Sequence, residues 1–505
     1  MSVFNHQING DVNGTRSLIK DDDVRVAPPS GINVLIVGAG ACGLTAALEC
    51  HRKGHNVRIL ERSASASAGG DMFTIMRSAR VWMNHYPEMK AEFDRISVHN
   101  GWMQYRKHTG EVIGEPKPFA QMVGGGQLSP DNQPMVTQLR PLYHAMLYHQ
   151  IERFGISVAY NMKVTEYYED NERGVGGVIL ESGEKAEADR IIAADGLGSK
   201  SQSLVLGGKS KGRSSGRSIF RAAWPLEMAM ADPVVKEVFG LRDGKYPLMQ
   251  GWLGPDTHTM CLSYVDREGQ NGLMCWGLTF TEPDGPEAQS TVESWRNAVR
   301  AEDVLQTMAR IPGWNDAMVR LVKTMPEGSI IYWPLLWRNP NPCTHSPSGR
   351  VLQIGDAAHS FLPTSGNGAT QAIEDAVTIA AALVHAGKDH VEVAVKTYGL
   401  LRSDRVSIAQ LLGFYNAEVY HKNDAAKSSG DSSKVAAKVP KWIWQFDPEK
   451  YADANYDRAA ASVEGGEKFT NTNIPPGYTP MPWTLEGIEQ LYKEGKTIEL
   501  TGDWS

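Results

Sequence analysis

An apolar run, Asn33-Val-Leu-Ile-Val37, breaks at once into Gly38-Ala-Gly40-Ala-Cys-Gly43, and a helical pattern over 41–53 follows, closed by Gly54. No other feature constrains the fold of this chain as strongly. A G-x-G-x-x-G turn between strand and helix suits the phosphates of a dinucleotide. Gly38 permits the tight turn, Gly40 lets the backbone approach a pyrophosphate, Gly43 lets helix and strand close on each other, and the helix N-terminus adds its positive dipole. The run 56–60 reads as the next strand of a βαβ unit. Glu61 ends it roughly 20 residues past the glycines, where a carboxylate accepts from ribose hydroxyls. A carboxylate there opposes a 2′-phosphate, so the tightly held nucleotide is FAD or NAD rather than NADP. A glycine-rich turn without a ligand is the plainer alternative, and the strand, helix and acid together weigh against it.

Two later stretches extend this reading. Gly355-Asp356-Ala-Ala-His359 follows an apolar strand over 351–354, and Pro363, Gly366-Asn-Gly368-Ala369 and a long helical pattern come next. A carboxylate beside a glycine turn that opens a helix makes a cradle for a sugar alcohol and a ring. Asp356 suits a ribityl chain, and the backbone N–H groups of 366–369 suit a ring that gains negative charge on reduction. Alone, Asp356 reads as a helix cap. The third stretch, Ala188-Asp-Arg-Ile-Ile-Ala-Ala-Asp195-Gly196, runs a strand into an Asp-Gly turn, which alone is only a turn.

Taken in this order, the three stretches resemble the single-component (class A) FAD-dependent aromatic hydroxylases, and within them the salicylate-hydroxylase-like branch common in fungal secondary metabolism. The resemblance spans roughly 33–420. It implies that Gly38, Gly40, Gly43 and Glu61 hold the ADP half of FAD, and that Arg140 in Gln138-Leu-Arg140-Pro-Leu142 lies against the flavin or pyrophosphate. It implies that Asp195 and Gly196 contact FAD and a visiting NADPH or NADH, and that Asp356, Gly366, Gly368 and Ala369 hold the ribityl chain and isoalloxazine. Pro363 would sit beside the ring where oxygen reacts. Ser360, Asn367 and Gln202 depart from the family pattern, which more often has proline, glutamine and arginine there.

The implied activity is an FAD-dependent monooxygenase. NAD(P)H reduces the flavin, dioxygen forms a C4a-hydroperoxide, and an electron-rich aromatic or indole-type small molecule is hydroxylated or epoxidised. Two catalytic candidates follow. Arg221, in Ser218-Ile-Phe-Arg221, matches the family position at the start of the substrate sheet, and Tyr264 lies on a strand expected to wall the pocket. Their plainer readings are a surface salt bridge and a core aromatic. Trp252, Trp276, Met249 and Met274 fall on the same strands, some facing core and some substrate. Trp442-Ile-Trp444 resembles part of a flavin-halogenase motif, so a halogenase, or a flavin dehydrogenase without oxygen insertion, is the alternative. His359, His258 and His108 lack metal-ligand spacing, and no metal is expected.

The expected fold class is α/β: a Rossmann-like FAD-binding domain interleaved with a mixed or antiparallel-sheet substrate domain, and a C-terminal helical extension. At 505 residues the chain suits about three folding units. The expected bounds are a disordered polar tail over 1–31, the FAD domain over 32–215 and 331–420, the substrate sheet over 216–330, and the extension over 421–505, with a linker at 424–438. A second dinucleotide turn is not expected, since Gly124 to Gly126 and Gly174 to Gly177 lack a following helix. A net charge of −7 carries no basic excess and argues against nucleic acid. Five scattered cysteines, without a secretory segment or a run near the ~20 apolar residues of a membrane span, point to a cytoplasmic protein with reduced thiols and no membrane insertion. Monomer and dimer are both open.

Overall fold

The computed structural model describes residues 24–66, 69–98, 101–122, 132–208, 213–266, 268–283, 297–422 and 430–505. Its first unit is a five-stranded, wholly parallel sheet in the order 351–353, 190–193, 33–37, 56–60, 158–159. Strand β1 (Asn33–Val37) lies at the centre, between strand β2 (Asn56–Leu60) and the strand Arg190–Ala193. Such a sheet is buried on both faces, which is why β1 reads as a continuous apolar run. Val34 and Ile36 face helices α1 (Ala41–Arg52), α2 (Arg140–Arg153) and α3 (Gly368–Ala386). Leu35 and Val37 face a three-stranded antiparallel sheet over 164–188 through Tyr167 and Val178.

The second unit is an eight-stranded sheet, antiparallel except where Trp102–Lys107 pairs in parallel with Leu248–Gly254. The strands Arg213–Pro225, Thr257–Tyr264 and Leu273–Thr281 form its middle. The two strands at one edge, Trp102–Lys107 and Val112–Pro118, come from outside the expected span 216–330, and Ile330–Trp337, next to the short strand Ala298–Val299 at the other edge, runs past its end. The two units are therefore threaded through each other rather than consecutive.

Alternation divides this sheet into two faces. Phe220, Trp224, Trp252, Cys261, Met274 and Trp276 pack on three helices over 233–239, 301–309 and 316–323. Met103, Tyr105, Met249, Leu262, Tyr264 and Cys275 face the other way, toward the first unit and Tyr420. Tyr420 belongs to helix α4 (Val391–Lys422), a single 32-residue helix.

The expected tail lies outside the described residues as far as residue 23. Residues 24–31 are held: the backbone N–H groups of Ala27 and Ser30 donate to the carbonyls of Arg52 and Gly54, and Val24 is buried. Gly124 to Gly126, and 424–429 of the expected linker, also lie outside the described residues. Val435, within the rest of that linker, is fully buried against the sheet. No helix among the described residues is long and apolar enough to cross a membrane.

Candidate active site

The turn after β1 is locked by atoms a side chain would strike. Gly38 has φ +105° and a Cβ there would lie 2.5 Å from the carbonyl oxygen of Ala194; at Gly43 it would lie 2.0 Å from that of Gly38. At Gly40 a Cβ would meet nothing within 4 Å, and no side chain caps α1 there, so its first N–H groups face open space. Glu61 is turned back on this loop: one oxygen accepts from the N–H of Ala39 and the other from that of Ser63, each at 2.8 Å. His144 of α2 bonds the carbonyl of Ala39 at 2.8 Å from the far side. The carbonyl contact at Ala194 joins this loop to Asp195, whose carboxylate accepts from Tyr167 at 2.8 Å. Burial raises the Asp195 carboxyl above its ordinary value, against the pull of Ser199 and Tyr167. Gly196 follows with φ +80°.

The second constellation closes on the first. Sγ of Cys42, within the glycine motif, donates to the carbonyl of Ala372 in α3 at 3.1 Å. Asp356 lies on the turn Gly355–Ala357, and Pro363 opens the turn that ends at Gly366, which has φ +60°. Gly368 and Ala369 begin α3, whose N-terminus has no side-chain cap, while Oδ1 of the preceding Asn367 is buried without a hydrogen-bond partner. Asp356 and Arg140 are reached by solvent although protein surrounds them, as on the wall of a cleft. Enclosure raises the Asp356 carboxyl, opposed by His359, Arg140 and Arg338. Desolvation lowers Arg140, and Arg221 adds to it. The three departures from the family pattern are absorbed locally. Gln202 donates to the carbonyl of Ala357 at 2.5 Å, Ser360 accepts from the N–H of Arg338 at 2.8 Å, and Asn367 donates to the carbonyl of Ser365 at 2.6 Å.

Arg221 stands where the sheet meets this cleft. Its guanidinium grips the carboxylate of Asp71 with two nitrogens, Nε at 2.8 Å and Nη2 at the other oxygen. The carbonyl of Asp71 accepts from the N–H of Arg140 at 2.8 Å. The ion pair is half-buried, not the surface bridge that was the plain reading of Arg221. Nothing in the sequence marks Asp71; it follows Gly69 and Gly70, and Gly70 packs on the Arg140 side chain. His144 and Tyr167 were missed likewise, lying on an ordinary amphipathic helix and strand.

The sheet row beside Arg221 carries two glycines. In register, Arg221 aligns with Gly277, Met260, Gly251 and Tyr105 across four neighbouring strands. Tyr264 lies on the same face four residues beyond Met260, about 13 Å along the strand. It is 2% exposed within the cluster of Met249, Leu262 and Cys275, and burial followed by Asp266 pushes its hydroxyl up to about 12. The structure thus brings Arg221 to the cleft with Arg140 and Asp356, and leaves Tyr264 among packed side chains away from that group. Of the aromatic and sulfur residues singled out, Met249 faces the cleft side, whereas Trp252, Met274 and Trp276 face the helices. Trp442 and Trp444 pack against α4 and Trp504. No metal-binding cluster occurs among the described residues.

The open N-termini of α1 and α3, the uncrowded Gly40, the orphaned Asn367 oxygen and a cleft wall carrying Arg140 and Asp356 fit a bound flavin dinucleotide. Residues 31–410 match the profile of the family described as FAD binding domain. The chain belongs to that family. It is similar over almost its whole length to curated members named as FAD-dependent monooxygenases. One, dmxR9 of Cryptosporiopsis sp., is 40% identical over 98% of this chain and 94% of that protein; another, fsr3 of Gibberella fujikuroi, is 40% identical over 95% and 90%. Among solved structures, FqzB superposes with a TM-score of 0.76 at 27% identity, covering 89% of this chain and 98% of that one. CtdE in complex with FAD and substrate 4 superposes with a TM-score of 0.74 at 26% identity, covering 86% and 100%. The protein is an FAD-dependent monooxygenase of this family, and its relatives' coverage extends into the C-terminal segment.

Proposed function

We propose that the protein uses NADPH or NADH and dioxygen to place one oxygen atom on a bulky, electron-rich aromatic or indole-type small molecule, by hydroxylation or epoxidation, with Arg221 as the residue that orients the reacting substrate. Two electrons come from the nicotinamide cofactor, and the second oxygen atom leaves as water. Bound FAD supplies the oxygen-transfer chemistry. In this reading Gly38, Gly40, Gly43 and Glu61 hold its ADP half, Arg140 and Asp356 face its middle, and Pro363 with 366–369 borders its ring. The Asp195-Gly196 turn meets the visiting reductant.

One observation carries the substrate half of the proposal: the Arg221–Asp71 pair sits on the glycine-lined sheet face and joins directly to Arg140 of the cleft. A guanidinium locked in a two-point grip is pre-aimed, so its positive charge stabilises a phenolate-like oxygen or aligns the oxygen-transfer step at little cost in ordering.

The test is substrate-stimulated NAD(P)H consumption by the purified holoenzyme, with mass spectrometry for a product one oxygen heavier. Arg221→Lys keeps a positive charge opposite Asp71 but loses the planar fork. Product formation should fall about 100-fold with FAD retained. Unchanged product formation in that variant would remove Arg221 from the mechanism, and NAD(P)H consumption without oxygen in any product would favour a dehydrogenase.

A further inference from the structure

Behind the turn that carries Asp356 runs a chain of buried charges that the oxygen chemistry does not use. Asp375, two turns into α3, is fully buried. Its Oδ2 accepts from the N–H of Gly355 at 3.0 Å and lies 2.7 Å from Nε2 of His359, while its Oδ1 accepts from Nε of Arg402 at 2.8 Å. Arg402, on α4, also reaches Glu374 and the side chain of Gln371, each at 2.7 Å. Arg405 grips both oxygens of Glu374 at 2.7 and 2.9 Å. Its other donors go to the carbonyls of Trp442 and Ile443 at 2.8 Å and Asn473 at 3.1 Å. An unbroken series of contacts therefore links the 355–359 turn, through two helices, to the C-terminal segment.

This arrangement is expensive for mere packing. Each buried ion costs several kcal/mol to desolvate, and apolar residues fill comparable spaces more cheaply. It does define direction. The turn closes on itself through the N–H groups of Ala358 and His359, which donate to the carbonyl of Gly355 at 2.8 and 2.9 Å. Asp375 then fixes that turn at both ends, the N–H of Gly355 and the ring of His359. Asp356 is carried between them, so the backbone from which its carboxylate projects can shift only if one anchor lets go.

We infer that His359 is a positioning residue of the FAD site: held by Asp375, it fixes the turn that presents Asp356, and the Arg402–Glu374–Arg405 contacts make the C-terminal segment a brace for that turn. The inference rests on FAD binding and not on the role of Arg221. Two amides of different length test it. The side-chain nitrogen of His359→Gln takes the place of Nε2 and can still donate to Asp375, whereas that of His359→Asn takes the place of Nδ1 and cannot. FAD release from full-length holoenzyme is followed by flavin fluorescence, together with the flavin midpoint potential and the melting temperature of the deflavinated chain. We expect His359→Asn to weaken FAD binding about 10–100-fold, as loss of an outer-shell partner does at metal sites. Its potential should shift whether or not the deflavinated chain melts lower, and His359→Gln should restore both binding and potential. Parental FAD binding in His359→Asn would overturn the inference. So would equal loss in both variants accompanied by equal destabilisation of the deflavinated chain, which marks a purely structural histidine.

Discussion

The two faces of the eight-stranded sheet are made by alternate residues of the same strands, yet they are built for opposite purposes. Toward the helices, Trp224, Trp252 and Trp276 are at most 1% exposed. Toward the cleft, the row through Arg221 holds two glycines and an ion pair. One strand thus places Trp276 and Gly277 side by side in sequence and on opposite sides in space. The outer face supplies the stability that lets the inner face carry a half-buried ion pair, which an isolated sheet would not tolerate.

The sharpest way to break this comparison is Trp276→Ala. It removes a buried indole whose N–H meets Sδ of Met318 at 3.4 Å, and should cost about 3–5 kcal/mol in urea unfolding. Protein that remains folded should keep its KM, because nothing on the cleft side changes. Arg221→Lys is the mirror experiment. Its stability change should stay within about 1 kcal/mol while product formation falls about 100-fold. If the two substitutions gave the same pattern, the division of labour between the faces would be wrong.

An intermediate effect comes from a polar residue on the cleft-side face. His258 is buried, lies 2.7 Å from His421, and is pushed down to about 3 by burial, with Arg217 adding to it. The unfolded chain takes up this proton near its ordinary value of 6.5, and the folded chain does so only near 3. Stability is therefore complete above about pH 6.5 and is lost as pH falls toward 3, with about 2 kcal/mol gone between pH 7 and 5. His55, pushed down to about 4 chiefly by burial, adds in the same direction. Urea unfolding at pH 7, 6 and 5 should show a shallower loss in His258→Gln; an unaltered slope would put the acid sensitivity elsewhere.

How much of this was legible beforehand follows from how local each signal is. The glycine motif, β1, α1 and Glu61 lie within thirty residues, and each has a steric or electrostatic reason that needs no distant partner. The parallel sheet and the antiparallel middle of the second sheet were equally readable from periodicity. Asp71 was not, because an acid after two glycines means nothing until the fold sets it against a residue 150 positions later. Tyr264 misled for a related reason: alternation gives the face of a strand but not the position along it. The edge strands over 102–118 carry the same local pattern as the middle strands. Only the threading of the chain, which no window of sequence contains, recruits them to the second sheet.

The smallest effect is the most discriminating. At Gly277 an added Cβ would lie 3.2 Å from Cδ1 of Ile219, the flexible end of a side chain, and 3.7 Å from the nearest backbone oxygen. Gly277→Ala therefore fits after a shift of a few tenths of an ångström. The alanine also loses less backbone entropy on folding than glycine, by roughly 0.5–1 kcal/mol, so stability should be unchanged or slightly higher. If the cleft-side face is the substrate wall, the added methyl and the displaced Ile219 narrow it beside Arg221. KM for a bulky substrate should then rise a few-fold while kcat holds, since the lost contact is made equally in ground and transition states. A stabilised protein with weaker substrate binding would show that the glycine is kept for space and not for backbone freedom. A gain in stability with KM unmoved would place the substrate elsewhere on the sheet.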